Sequence, residues 1–184
     1  MKAIAKVFLR AKHWQLFLLF FVAPTIAEFS AVGVIPTRIQ SWHDFGASGF
    51  FYLGVVGVLF LCFLVWFGSM GFFLRSIVKP ELRMGTRFLI FALVYPVVYA
   101  PVFLLIADTA PAWVILPLHL ACIGCLAYLF YFVSKNLVLT EGKRPVSFYE
   151  YAGAFFLLWF YPVGVWIIQP RLTRLYANHQ PTSI

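Results

Sequence analysis

Apolar residues in this chain fall into long unbroken runs, and polar residues gather in the short intervals between them. Five runs are read from the sequence: about 14–35, 50–74, 88–107, 113–133 and 152–168. At about 1.5 Å of rise per residue, the first four are each long enough to cross a hydrocarbon layer about 30 Å thick. Helices are expected, because a helix satisfies its own backbone in lipid and the chain lacks the alternating ten-residue strands of a membrane barrel. The last run is shorter and carries Pro162-Val163-Gly164 near its middle. Proline removes a helical donor and glycine permits a turn. The expected fold is therefore an all-α membrane protein: four transmembrane helices plus a fifth, Pro/Gly-broken C-terminal segment, re-entrant or spanning, in one integral membrane domain over 1–184. Lys2, Lys6, Arg10 and Lys12 before an apolar run, with small residues from Ala23 to Ala27, also fit a signal peptide. The segment is read as a first transmembrane helix.

The intervals set an orientation. Four basic residues precede the first run; Arg75, Lys79, Arg83 and Arg87 lie between the second and third; Lys135, Lys143 and Arg144 follow the fourth. The first interval holds only Arg38, and the turn between the third and fourth runs holds Asp108 and no basic residue. Even-numbered crossings thus return to a basic side, which predicts a cytoplasmic N-terminus. A full fifth crossing would carry Arg171 and Arg174 outside, whereas a re-entrant hairpin keeps them inside.

Composition narrows the class. The 184 residues are 63% hydrophobic and 20% aromatic with only 11% charged, which excludes a conventional soluble enzyme. The formal charge of +8 would suggest nucleic acid in a soluble chain, but here its distribution is accounted for as topology. Three cysteines, all within apolar stretches, make no secreted-type disulfide framework. Gly54, Gly57, Gly68 and Gly71 fall within an arc of about 100° on the second helix, a smooth strip for close helix contact. Trp14, Trp42, Trp66, Trp113, Tyr128, Tyr131 and Tyr176 are expected as interfacial anchors near segment ends. Thr109-Ala110-Pro111 reads as a helix start. Pro24, Pro96, Pro101 and Pro117 are expected to bend their helices.

Several stretches carry a resemblance together. They are Ala11 to Phe17, Leu118-His119-Leu120, Tyr131 to Lys135, and above all the run from Phe155 to Arg171, with Trp159, Phe160, Pro162, Gly164, Trp166, Gln169, Pro170 and Arg171. The chain resembles a family of small uncharacterised multi-pass bacterial membrane proteins. The resemblance implies a bacterial cytoplasmic (inner) membrane location and a four-to-five-helix architecture. It implies no activity, and no functional residue carries over.

Candidate chemistry is sparse. Glu28 lies inside the first run, where a carboxylate is costly and marks an ion pathway, a partner or a protonated hydrogen bond. It either belongs to an intramembrane polar site with His119 and Tyr99, helped by Thr25 or Ser30, or sits near the outer interface and reaches water or Arg38. His119, Cys122 and Cys125 form an H-x-x-C-x-x-C array on one helix face, compatible with a thiol pair or part of a metal site, or with plain packing residues. The array is similar to the C-x-x-C of vitamin K epoxide reductase, yet that family needs a second cysteine pair and only Cys62 remains. Phosphate loops, H-E-x-x-H and G-x-S-x-G are absent from the sequence. No cofactor and no metal are expected. Arg75, Arg83, Arg87, Lys143 and Arg144 form an interfacial basic set that would attract anionic lipid headgroups. The leading expectation is a non-enzymatic accessory, scaffold or regulatory subunit of a membrane complex, whose partners are the bilayer and other membrane subunits or its own copies, and not nucleic acid. The alternatives are a small oligomeric transporter or channel using Glu28, and a thiol redox enzyme using Cys122 and Cys125.

Overall fold

The computed structural model describes residues 2–32 and 46–179. Among the described residues the architecture is all helical: α1 (Lys2–Arg10), α2 (His13–Phe17), a π-helical turn (Leu18–Val22), α3 (Ala23–Val32), α4 (Gly46–Ile77), a 3-10 turn (Pro80–Leu82), α5 (Arg87–Ile106), α6 (Ala112–Gly142), α7 (Phe148–Trp159) and α8 (Tyr161–Asn178). Three helices are long and apolar enough to cross a membrane, over Gly49–Ile77, Arg87–Ile106 and Ala112–Gly142. The fourth expected run therefore continues as helix well beyond Val133. The first expected run is divided: α2, the π turn and α3 follow one another without a gap from residue 13 to residue 32. Its last positions, 33–35, lie outside the described residues.

The division has a cause in Pro24. In a regular helix the Phe20 carbonyl would accept from the N–H of residue 24, which proline lacks, and the proline ring also crowds that carbonyl. The backbone widens instead, so that the Ala23 N–H reaches Leu18 O. The freed Phe20 carbonyl accepts the Tyr161 hydroxyl at 2.7 Å.

A second break separates α1 from α2. The Lys12 N–H, which would have bonded Phe8 O, goes to Gln15 Oε1 at 2.8 Å, and the Gln15 N–H goes to Lys12 O at 3.0 Å. The carbonyls of Phe8 and Ala11 lose their regular helical donors. Both are met by Gln169 Nε2, at 2.9 and 3.0 Å, while Gln169 Oε1 accepts the Trp66 indole N–H at 3.3 Å. Gln169 is only 1% exposed and Trp66 is fully buried. Trp66 is thus a core residue and not the interfacial anchor that its position in the sequence suggests. Trp14 and Trp113 are exposed, and Trp42 lies outside the described residues.

The third break is at Phe160, two residues before Pro162, with α7 ending at Trp159 and α8 starting at Tyr161. It is tight: a Cβ on Gly164 would lie 1.6 Å from Leu157 O, so only glycine fits this turn. Contacts along α8 give its direction. Tyr161 meets Phe20, Trp166 stacks on Phe17 and His13, Gln169 meets Ala11 and Phe8, and Thr173 reaches Leu9 O. Hence α8 runs antiparallel to α2. Arg171 pairs with Glu141 at the end of α6, and α7 starts just beyond that end. The start of α7 and the end of α8 therefore share one end of the bundle with α1, the end of α4 and the start of α5. The helices α7 and α8 form a hairpin whose tip lies beside Phe20 and Phe63, partway along the bundle, with Phe160 and Val163 exposed.

That arrangement places the core. Trp66, Phe67, Met70 and Leu74 of α4 pack against Leu129, Phe132, Val133 and Leu137 of α6 and against Leu158, Ile168 and Leu172 of the hairpin, all essentially without exposure. The glycine strip divides accordingly. Gly68 and Gly71 face Leu93 and Leu89 of α5 at about 3.3 Å from a notional Cβ, so a close approach is used there. Gly54 and Gly57 face nothing within 4 Å. At the start of α6, Pro111 is the cap residue and the Thr109 hydroxyl turns back to Ile106 O, so Thr109 is not the expected N-cap.

Replacing Gln169 by Leu removes the donors for two carbonyls and the acceptor for a buried indole. Unfolding in lipid nanodiscs is expected to show a loss of about 1–3 kcal/mol, larger than for Gln15→Leu at the exposed cap. Equal losses would show that the Gln169 contacts add nothing.

Candidate functional site

The expected polar site is brought together in part. The Tyr99 hydroxyl is hydrogen-bonded to His119 Nδ1 across the α5 and α6 seam. Phe103 packs edge-on against the imidazole with ring centroids 4.9 Å apart, and Tyr95 donates to Leu118 O at 3.1 Å. Sequence spacing makes this seam: Tyr95, Tyr99 and Phe103 recur every four residues and so line one face of α5. The Tyr95 and Tyr99 rings stack at 5.9 Å. His119 has one ring nitrogen committed to Tyr99, which fixes the ring between two aromatics and makes the group a helix-to-helix clamp.

Glu28 is not part of this cluster. It lies exposed on α3 and makes no hydrogen bond or ion pair to a described residue. Thr25 and Ser30, its proposed helpers, turn their hydroxyls back to Phe21 O and Ile26 O at 2.7 and 2.8 Å, as hydroxyls in apolar helices commonly do.

Cys122 is half-buried and Cys125 buried on α6, and both thiols are free, as is Cys62 on α4. Among the described residues no three of His, Cys, Asp and Glu converge as a metal site would require.

The basic set is more structural than a row of loose headgroup ligands. Arg75 Nε donates to Met84 O at 2.9 Å; Arg83 donates to Val78 O at 2.9 Å and Ser76 O at 3.2 Å. Both arginines thus fasten the turn between α4 and α5. Arg144 pairs with Glu150 at 2.6 Å, and Lys143 adopts the left-handed cap conformation that ends α6, at φ 50°. Arg87 is exposed at the start of α5. Sequence reasoning passed over Lys135, whose ammonium lies over the rings of Tyr131 and Tyr151 and donates to the Tyr131 hydroxyl at 3.0 Å. It also passed over Gln169 and Tyr161. Polar residues at Gln169 and Tyr161 within an apolar run were the available signal.

Comparison with family models, curated proteins and solved structures found no match for this chain.

Glu150 gives the polar end a pH dependence. Its carboxylate accepts from the Ser147 N–H and hydroxyl, both at 3.0 Å, and pairs with Arg144, which together hold its carboxyl below the usual glutamate range. A depressed folded value means that its contribution is full above the unfolded value and is lost as pH falls through the folded one. Amide exchange at residues 148–151 is expected to speed up on acidification in the wild type. In Glu150→Gln the exchange should already be fast at neutral pH and respond little to acid. An identical pH profile in both would remove Glu150 as the cap.

Proposed function

We propose that the chain is a bacterial inner-membrane protein with four crossings and a re-entrant C-terminal hairpin, its basic end facing the cytoplasm, and that it acts by assembly as an accessory, scaffold or regulatory subunit. Residues 13–32 supply the first crossing in this reading: twenty helical residues span about 30 Å even with the π turn. The hairpin supports a re-entrant tail, since Arg171 and Arg174 stay at the end that bears Arg10, Arg75, Arg83 and Arg144. The membrane and inner-membrane assignment draws on the three long apolar helices and on the resemblance noted from the sequence.

The observation that carries the assembly reading is the contrast between spent and unspent surfaces. Most interior polar side chains are used on the backbone or on one another: Ser69 on Val65 O, Ser134 on Tyr131 O, Thr140 on Asn136 O, Gln169 on three groups, and Tyr99 on His119, while Asn136 Oδ1 is a buried atom left without a partner among the described residues. The outward face of α4 is unspent. Gly54, Gly57, Val58, Leu61 and Val65 leave a smooth exposed strip where α5 no longer covers the helix, because the proline-containing half of α5 is tied to α6 by Tyr95 and Tyr99. Small residues let another helix backbone approach closely in lipid. The transporter or channel reading retains the exposed Glu28.

A photo-crosslinking residue at Val58 in cells is expected to capture a discrete membrane protein, or a second copy, while one at the exposed Val98 of α5 captures lipid only. Gly57→Leu should reduce the Val58 product at least about fivefold, corresponding to roughly 1 kcal/mol of helix association. Equal products at the two positions, or no effect of Gly57→Leu, would count against assembly through α4.

A further inference from the structure

The hairpin is too short to reach the far end of the bundle, and beyond its tip the packing is left open. There a crevice of about 230 Å³ lies between the N-terminal helix and α4. Its walls are Phe20 and Pro24 on one side and Val56, Phe60 and Phe63 on the other, with Tyr161 of the hairpin tip among them. The lining is apolar, and the Tyr161 hydroxyl is already committed to Phe20 O. Binding of a polar or charged group within the crevice is therefore disfavoured. The volume is smaller than the roughly 300–1,000 Å³ of pockets for drug-sized molecules, which suits a single hydrocarbon chain.

One charged group belongs to this feature. Glu28 lies one helical turn beyond Pro24, so Phe20, Pro24 and Glu28 follow a four-residue spacing along one face. Because Pro24 lines the crevice and α3 is regular from Ala23 to Val32, that spacing puts position 28 on the crevice side of α3. No described residue neutralises it. An apolar slot with a carboxylate toward its outer end is complementary to a molecule with a hydrocarbon chain and a protonated amine head.

We propose that this crevice and Glu28 form a binding site for a phospholipid with a primary-ammonium headgroup, drawn from the leaflet opposite the basic end. One acyl chain fills the slot down to Tyr161, and the headgroup ammonium donates to the Glu28 carboxylate. A primary ammonium carries three donors, and a charge-assisted hydrogen bond is shorter and stronger than a neutral one. A trimethylammonium head has the same charge and no N–H, so the site discriminates between the two. The inference rests on the membrane reading above and is independent of assembly through α4.

The test is native mass spectrometry of the full chain released from nanodiscs containing equal amounts of phosphatidylethanolamine and phosphatidylcholine with matched chains. Wild type is expected to retain phosphatidylethanolamine over phosphatidylcholine by at least about tenfold, from one charge-assisted hydrogen bond. Glu28→Gln should bring that ratio close to one while a chain is still retained. Val56→Phe, which fills the slot without touching Glu28, should abolish retention of both lipids. Equal retention of the two lipids by wild type overturns the proposal, as does an unchanged ratio in Glu28→Gln or undiminished retention in Val56→Phe. The wild-type comparison needs no variant, so a folding defect in either substitution leaves the proposal open to refutation. An intact lipid preference alongside a failed Val58 crosslink would separate this site from the assembly reading.

Discussion

A carbonyl freed in an apolar interior needs a donor from within the protein, and the α7 and α8 hairpin supplies donors where the N-terminal helix is broken. Pro24 frees Phe20 O, and Tyr161 answers it; the Lys12 cap frees Phe8 O and Ala11 O, and Gln169 answers both. The two donors are eight residues apart on α8, as their acceptors are spread over α1, the break that follows it and the π turn. Register between the two segments is thereby fixed at both ends. The hairpin's own break is closed locally, since the Gly164 N–H returns to Phe160 O at 2.9 Å. Neither half of this arrangement is favourable alone: an interrupted helix without the hairpin leaves carbonyls bare, and the hairpin without the helix leaves the Gln169 amide N–H groups unpaired.

The same constraint explains why packing is uneven. Twelve residues of α7 rise about 18 Å, well under half the length of α4 or α6. Where the hairpin lies, α4 and α6 bury large side chains such as Trp66, Phe67 and Phe132; from Phe50 to Phe63 the residues of α4 are half-buried or exposed. Among the described residues no third element packs against that half of α4, and the crevice lies there. The aromatic content of the chain is concentrated at the seam, with Phe20, Phe63, Trp66, Phe67 and Tyr161 in mutual ring contact. Flat rings fill an irregular junction of helix, π turn and hairpin tip at little cost in side-chain freedom.

Helix class and segment positions were legible because lipid-length apolar runs admit little else, and the broken last run was legible because proline and glycine act locally. The break itself falls at Phe160 and not within 162–164, since proline ends the preceding helix and is accommodated in the first turn of the next. The π turn at Pro24 was read only as a bend. Its form depends on whether another segment offers a donor to Phe20 O, and that is tertiary information. Tyr99 and His119 meet across the α5 and α6 seam, whereas whether Glu28 joins them depends on which helices are neighbours. Trp66 was misplaced for a related reason: distance from a run's end says nothing of depth when α4 continues to Ile77. Gln169 drew no notice as a site residue because one amide near a basic tail looks interfacial until its partners are known.

Charge and fold share the same side chains at the polar end. Arg83 holds the last carbonyls of α4, where the helix dipole is negative, and Arg171 ties α8 to the end of α6 through Glu141. These arginines are also counted in the asymmetry that sets orientation. Lys at position 83 would keep the charge and lose the fork that reaches Val78 O and Ser76 O together, since a lysine ammonium is a single compact donor. The two roles are therefore separable by chemistry even though one residue fills both. Orientation follows the sign of the charge, and the turn between α4 and α5 follows the geometry of the guanidinium.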